Sequence, residues 1–267
     1  MILAIDIGNT SIHVGLFSRG RLRRRFILPT ALARTAGPLR RRLPRADEAI
    51  ICSVVPWATP KLTTALRAAG CRRVRVVGRD LKVPLKNRYR YPRQVGQDRL
   101  VGAYAAWREF GKPLGARGSP ARPPQMDWPG RAGLGRDCIV CDFGTAITID
   151  VVTKAGEYLG GVIAPGLEIS LEALASRTAL LPRVDLRQPA ELLGRDTATS
   201  IRSGVVLGCA ALCDGLTARL KARHAPHAVV VATGGAAPLI ARHARSIGRL
   251  RPNLVLEGLF QLNRSAR

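Results

Sequence analysis

Two acidic residues in this chain stand at the ends of apolar runs, each followed by a glycine turn. They are Asp6, in Asp6-Ile7-Gly8-Asn9-Thr10, and Asp142, in Asp142-Phe143-Gly144-Thr145. A carboxylate at a buried strand end supplies the hard oxygen that Mg²⁺ prefers, directly or through water. A glycine beside it lets the backbone approach a phosphate, and Asn9 and Thr10 add hydrogen-bond donors. Taken alone, either segment reads as an ordinary polar turn, where Asn and Gly are common. Two copies in one chain favour a nucleotide and metal site over coincidence.

Three further segments could join such a site. Thr233-Gly234-Gly235 follows an apolar strand pattern and precedes a helical one. A glycine pair there exposes N–H groups at a helix N-terminus, which suits phosphate, although a plain tight turn explains it equally well. Gly96-Gln97-Asp98-Arg99 lies near a helix start. Asp98 there could orient a substrate hydroxyl as general base, and Arg99 could grip a carboxylate. By themselves these residues read better as an Asp favoured by the helix dipole beside a solvated Arg. Asp196-Thr197 reads first as a helix cap. His13, His224, His227 and His243 show no ligand spacing. Cys138-Ile-Val-Cys141 has the spacing of redox and zinc sites, but on a strand positions i and i+3 face opposite ways. Cys209 and Cys213, at i and i+4 of a helical pattern, could share a face. Packed thiols are the better reading for all six cysteines.

The elements that must position these residues can be read from periodicity. Strands are expected over 2–7, 11–17, 21–28, 48–55 and 73–77, and helices over 29–42, 61–69 and 95–110. Residues 111–136, rich in Pro, Gly and Arg, read as a loop or linker. Strands then resume over 139–143, 147–152, 158–163 and 228–232, with helices over 167–175, 200–223 and 237–247 and a closing element over 254–262. Strands followed by helices, twice over, suggest a duplicated α/β architecture with an N-terminal half at 1–110 and a C-terminal half at 137–267. The segments Ala4–Thr10 and Val140–Ala146 match weakly and support the duplication.

Composition sets the outer limits. The 267 residues are 46% hydrophobic, which excludes a wholly disordered chain. No uncharged apolar run approaches the length of a membrane span, and the N-terminus has no basic leader pattern, so a cytoplasmic protein is expected. The 43 basic and 18 acidic residues leave a net charge of +25, which attracts polyanions. Arginine is nevertheless spread along the whole chain and aromatics are only 4%, so a compositional bias on solvated faces outweighs nucleic-acid binding.

Together and in this order, these segments resemble the type III pantothenate kinase family of the acetate kinase, sugar kinase, Hsp70 and actin superfamily. The likeness runs through IDIGNTSIHVGLF, YPRQVGQDRLVGAYAA, VCDFGTAITIDVV and GEYLGGVIAPGLEISLEALASRTALLP. It continues through GRDTATSIRSGVVLG, VVATGGAAPLI and LEGLFQLNR. The resemblance implies two actin-like, ribonuclease H-like α/β halves around a nucleotide-binding cleft. It also implies ATP-dependent phosphorylation of the 4′-hydroxyl of pantothenate, the first step of coenzyme A synthesis, in a homodimer.

Residue by residue, the resemblance makes Asp6, Ile7, Gly8, Asn9, Thr10, Ser11, Ile12 and His13 the ATP phosphate segment, with Asp6 near Mg²⁺. Thr145, Gly234 and Gly235 become further ATP contacts. Asp98 becomes the proton acceptor, and Tyr89, Gly96, Gln97, Asp98, Arg99 and Thr197 the pantothenate contacts. Asp142 becomes the ligand of a monovalent cation, K⁺ or NH₄⁺. The chain departs from the family at Gln97, where alanine is usual, and in the length of 111–136. A non-catalytic regulatory relative and a nucleic-acid-binding protein are the alternatives. The first would be favoured by a missing catalytic acid, and none is missing.

Overall fold

The computed structural model describes residues 1–35, 39, 41–112 and 135–266. The linker expected over 111–136 falls almost wholly outside them. In chain order the strands and helices are β1 (Ile2–Ile7), β2 (Ser11–Ser18), β3 (Arg21–Pro29), β4 (Glu48–Ser53), α1 (Ala58–Ala68), β5 (Arg73–Val76), β6 (Lys86–Asn87) and α2 (Gln97–Ala106). They continue with β7 (Cys138–Phe143), β8 (Ala146–Val152), β9 (Glu157–Pro165), α3 (Leu167–Arg177), α4 (Thr197–His224), β10 (Val229–Thr233), α5 (Ala237–Ile240), β11 (Arg249–Leu250) and α6 (Leu254–Ser265).

The chain divides into two compact units. The first comprises Met1–Leu85, Arg90–Ala105 and Asn253–Arg267, and the second Lys86–Tyr89 and Ala106–Pro252. Two pieces thus pack away from their sequence neighbours. The C-terminal helix α6 belongs to the first unit, and the short strand β6 to the second.

The first unit holds a five-stranded sheet in the order β3-β2-β1-β4-β5. β1, β2 and β3 run antiparallel, while β4 and β5 run parallel to β1. The central strands read as almost continuous apolar runs because both faces are covered: Leu3, Ala4, Ile5, Ala49, Ile50 and Ile51 are all buried. β3 is the edge strand and carries Arg21, Arg23, Arg24 and Arg25, all exposed. Charges on an edge discourage pairing with another chain, so the densest basic cluster has a structural explanation.

The second unit holds a six-stranded sheet in the order β11-β10-β7-β8-β9-β6. β7, β8 and β9 run antiparallel, and β10 and β11 parallel to β7. Without β6, this is the first sheet repeated strand for strand. β7 occupies the place of β1, and Asp142 that of Asp6.

Several elements differ from their sequence patterns for identifiable reasons. The helix expected over 29–42 is only a 3-10 turn, Thr30–Arg34, in its described first part. Thr30 is tied to the first glycine turn, its N–H donating to Thr10 O at 3.0 Å and its hydroxyl to Gly8 O at 2.7 Å. The helix expected over 237–247 is regular only over Ala237–Ile240 and gives way to turns reaching Ala244, beyond which the Asp214 carboxylate accepts from the N–H groups of Arg245 and Ser246. The helix at 95–110 begins at Gln97 and closes in a wider π-type turn, Trp107–Gly111. By length and composition α4 could cross a bilayer, but its uncharged stretch runs only from Ser203 to Cys213. Val206, Cys209, Ala210 and Cys213 on that stretch pack into the core of the second unit.

The β2–β3 turn carries a local cost. Arg19 sits at φ 50° and Gly20 at φ 81°. Hairpin turns with two such residues favour Asn-Gly, because most side chains crowd the carbonyl in that conformation. Arg19→Asn is therefore expected to stabilise the protein by about 0.5–1 kcal/mol, read as a higher urea midpoint at unchanged slope. A lower midpoint would mean that the arginine has a compensating interaction.

Candidate active site

In the first unit, sheet register sets three side chains in a row. Asp6 lies opposite His13 of β2 on one side and Cys52 of β4 on the other. Directly paired residues share a face, so His13, Asp6 and Cys52 line up across three strands at the ends of β1 and β4. Asp98 enters the same neighbourhood from the first turn of α2. The Cys52 thiol is fully buried, and its pKa is driven up first by burial and then by the charges of Asp6 and of Asp98. Two carboxylates, one from a strand end and one from a helix start, thus act on a single buried point.

The Asp98 carboxylate has a defined position. Its Oδ1 accepts from the Arg99 N–H at 2.9 Å, which turns the side chain back over the helix start. Gly96 makes this possible, because a Cβ there would fall 2.4 Å from that oxygen. The helix below is braced in turn by α6. Gly258 brings the two backbones together, since a Cβ on it would lie 2.8 Å from Val101 O. The buried Asn263 of α6 accepts from Arg75 at 3.0 Å and donates to Glu48 at 2.8 Å, tying that helix to β5 and β4.

The remaining residues of the first segment divide by burial. The side chains of Ile7 and Ile12 are in the core, so only their main chain is available to a ligand. Asn9 and Thr10 are exposed at the turn, and the Gly8 N–H donates to Ser11 O at 2.9 Å. Gln97, the departure from the family pattern, lies over Gly78, where a Cβ would be 3.0 Å from its Cδ. Its additional atoms are accommodated by that glycine.

His13 is mostly buried, and its Nε2 and the Ser11 hydroxyl are 2.9 Å apart. Burial first, and then the charge of Arg25, hold its pKa below the ordinary value of 6.5. The unfolded chain therefore takes up a proton near pH 6.5 that the folded chain accepts only at lower pH. This contribution to stability is complete above pH 6.5 and is lost as pH falls below it. Unfolding midpoints in urea are expected to fall less between pH 7.5 and 5.5 in His13→Gln than in the parent. An equal fall in both would exclude His13 as a source of the loss.

In the second unit, Asp142, Gly144, Thr145 and Gly234 converge. Thr233 of β10 pairs with Asp142 of β7, which brings Gly234 beside the carboxylate. Gly234 has φ 94°, and a Cβ on it would fall 2.4 Å from Asp142 Oδ1 and within 2.7 Å of Phe143 backbone atoms. The Ala236 N–H donates to Phe143 O at 3.1 Å, fixing the turn. On the other side, the Gly166 N–H donates to Thr145 O at 3.1 Å, and a Cβ there would meet the carbonyl oxygens of Thr145 and Gly144. Two close-packed glycines thus confine this turn, Gly234 against the Asp142 carboxylate and Gly166 against the carbonyl oxygens of Gly144 and Thr145. Gly235 is exposed with open space around it. Thr197 is exposed at the start of α4, behind Asp196. The Asp196 carboxylate accepts from the Thr199 N–H at 2.8 Å and completes a capping box.

Sequence reasoning did not single out Cys52, Gly166 or Gly258. Cys52 carries no signal of its own, because only sheet register places it between two acids. Gly166 had one in the Pro165-Gly166 pair before a helix. The cysteines behave as packed thiols. Cys138 donates to Ala106 O and Arg136 O, while Cys141 lies 3.7 Å from Cys213. No cluster of three or more metal-binding side chains occurs among the described residues.

The chain resembles proteins of known family. A family model described as type III pantothenate kinase matches residues 2–114 and 130–219. Type III pantothenate kinase 1 of Symbiobacterium thermophilum is 38% identical over 98% of this chain and 97% of its own. The type III pantothenate kinase of Desulfovibrio desulfuricans is 40% identical over 98% and 95%. Among solved structures, a Campylobacter jejuni chain assigned to a Baf family of transcriptional activators superposes with a TM-score of 0.59. It is 16% identical and covers 99% of this chain and 98% of that one. That likeness bears on the fold alone.

Proposed function

The chain belongs to the type III pantothenate kinase family, and from that premise we propose that it transfers the γ-phosphoryl group of ATP to the 4′-hydroxyl of pantothenate. The products are ADP and 4′-phosphopantothenate, in the first step of coenzyme A biosynthesis. The observation that carries this reading is the carboxylate of Asp98, which accepts from the Arg99 N–H at the start of α2 and packs on the bare face of Gly96.

Phosphoryl transfer needs positioning and charge stabilisation more than covalent participation by the protein. The 4′-hydroxyl oxygen forms a bond to the γ-phosphorus as the bond to the β–γ bridging oxygen breaks. Asp98 accepts the hydroxyl proton, and Gly96 keeps its carboxylate in place. Arg99 holds the pantothenate carboxylate, with Tyr89, Gln97 and Thr197 as further contacts. The turn from Asp6 to His13, together with Thr145, Gly234 and Gly235, holds the nucleotide. Asp6 would hold Mg²⁺, directly or through water, and Asp142 a monovalent cation, K⁺ or NH₄⁺. These ions supply positive charge that offsets the charge of the transferring group. The carboxylate oxygen of Asp142, held beside Gly234, is the kind of hard donor such a cation takes.

We take the enzyme to be a homodimer in the cytoplasm. Leu180, Leu192 and Leu193, between α3 and α4, are more than 70% exposed, and a second copy would bury them. Sedimentation at the mass of a single 28.8 kDa chain would remove that part of the reading. Six free, buried cysteines suit a reducing compartment. Nucleic acid is outside this reading, since the densest arginines protect a sheet edge.

The test is ADP release by purified protein with ATP, Mg²⁺ and pantothenate, run in K⁺ and again in Na⁺. Turnover is expected to depend on pantothenate and to require K⁺ or NH₄⁺. Folded protein that turns over in neither salt would favour the regulatory alternative. Turnover equal in K⁺ and Na⁺ would remove the cation role of Asp142 and leave the kinase.

A further inference from the structure

Strand β9 carries a buried assembly that neither the sequence pattern nor the family likeness assigns. Its register against β8 slips between Val151 and Val152, so that Val152 pairs with Tyr158, Val151 with Gly160 and Asp150 with Gly161. Leu159 is the extra residue of this bulge. Gly160 has φ 114°, a conformation in which side chains are rarely found. Tyr158 is fully buried, and its hydroxyl donates to Asp150 Oδ1 at 2.7 Å. Asp150 is itself only 2% exposed. Gly161 makes room for that carboxylate, because a Cβ there would fall 2.4 Å from the same oxygen.

This assembly bears on Tyr89. The Tyr89 and Tyr158 rings lie 6.5 Å apart at 45°. A Cβ on Gly160 would be 3.1 Å from Tyr89 Cδ2 and 3.2 Å from Cε2. The backbone leading to Tyr89 is held by the same strand. The Lys86 N–H donates to Gly156 O at 2.9 Å and the Arg88 N–H to Tyr158 O at 2.8 Å. Glu157 pairs with both Lys86 and Arg88. The Tyr89 N–H donates to Asn87 Oδ1 at 3.0 Å. Tyr89 therefore has its main chain fixed by β9 and its ring seated between Tyr158 and the bare face of Gly160.

We infer that Gly160 and the Tyr158–Asp150 pair are positioning residues for pantothenate, acting through the Tyr89 ring. The inference rests on Tyr89 being a pantothenate contact. Tyr158, anchored by Asp150, gives the ring a fixed wall, and Gly160 leaves the space that lets it stand where it does. A methyl group on Gly160 must displace the ring by a few tenths of an ångström and impose a strained backbone.

The test is a kinetic cycle on the intact enzyme with Gly160→Ala, Tyr89→Ala and the double variant, and with Tyr158→Phe as a second probe should Gly160→Ala fold poorly. Gly160→Ala is expected to raise the pantothenate KM about 10-fold, since small misplacements of a positioning group have effects of this order. The ATP KM should be unchanged and kcat nearly so. In the Tyr89→Ala background the added methyl meets no ring, so Gly160→Ala should cause little further rise. Tyr158→Phe should likewise raise the pantothenate KM only when Tyr89 is present. A direct readout comes from ¹⁹F spectra of protein labelled with 3-fluorotyrosine, which has four tyrosines. Gly160→Ala should move the Tyr89 resonance and leave that of Tyr104 in place.

If Tyr89→Ala raises the pantothenate KM but Gly160→Ala adds its own full factor in that background, this inference is overturned and the substrate contact stands. An unmoved Tyr89 resonance in Gly160→Ala overturns it as well. If Tyr89→Ala leaves the pantothenate KM unchanged, the placement of Tyr89 at the substrate has failed, and the inference falls with it. A rise in the ATP KM equal to that for pantothenate would mark Gly160 as merely structural.

Discussion

Asp98→Asn is expected to lower kcat for pantothenate by about 10²–10⁴-fold, the usual contribution of a positioned general base. The KM values for ATP and pantothenate should change far less. Asparagine has the same shape, and its carbonyl oxygen can still accept from the Arg99 N–H, which in the parent donates to the carboxylate oxygen at 2.9 Å. What it cannot do is take the hydroxyl proton. The variant should also keep the parental fold, because the amide fills the volume of the carboxylate. Loss of rate without loss of stability would separate chemistry from folding. Gly96→Ala supplies an independent check, since its Cβ would occupy space 2.4 Å from the carboxylate oxygen and force it aside. It should fall in kcat in the same direction. Retention of the parental rate by Asp98→Asn would place the proton acceptor elsewhere.

The second large effect is expected at Gly234. Its φ of 94° strains any side chain, and a Cβ would meet Asp142 Oδ1 and the backbone of Phe143. Phe143 is buried at the end of β7, and its carbonyl is held by the Ala236 N–H, so it has little freedom to move. Strain at such a position and overpacking together predict a destabilisation of about 2–5 kcal/mol for Gly234→Ala. The Asp142 carboxylate would be displaced with the strand end, so the residual activity should lose its preference for K⁺ over Na⁺ as well as its affinity for ATP. Gly235→Ala is the control. With open space around it and no special backbone angle, its fold should be unaffected. Equal destabilisation by the two substitutions would show that close packing against Asp142 is not the cause.

The duplication was legible because it is written twice in local pattern. Each half opens on an apolar strand, an acid, a glycine turn and an alternating strand, and the two sheets repeat the same strand order. The Asp196 cap was legible for the same reason, since capping is settled within one turn of helix. Elements held by distant partners were not legible. The chain after α5 is tied at Arg245 and Ser246 to Asp214 of α4, and the turn at Thr30 is tied to Gly8 and Thr10. No window of neighbouring residues contains those bonds. Strand β6 is a dipeptide whose pairing exists only because β9 is beside it.

For the candidate site, the sequence by itself determined which residue types are present, their order, and the family to which they belong. A strand end followed by glycine and a helix start with an acid are local features, and local sterics suffice to specify them. Only the tertiary structure decided what those features meet. Sheet register aligned His13, Asp6 and Cys52, and the packing of α2 brought Asp98 to the same thiol. Close packing turned Gly96 and Gly234 from permissive turn residues into positions where a single methyl group displaces a carboxylate. The physical reason is that side-chain volume and charge act over a few ångströms in space, whereas sequence spacing specifies neighbours only within a helix turn or along a strand.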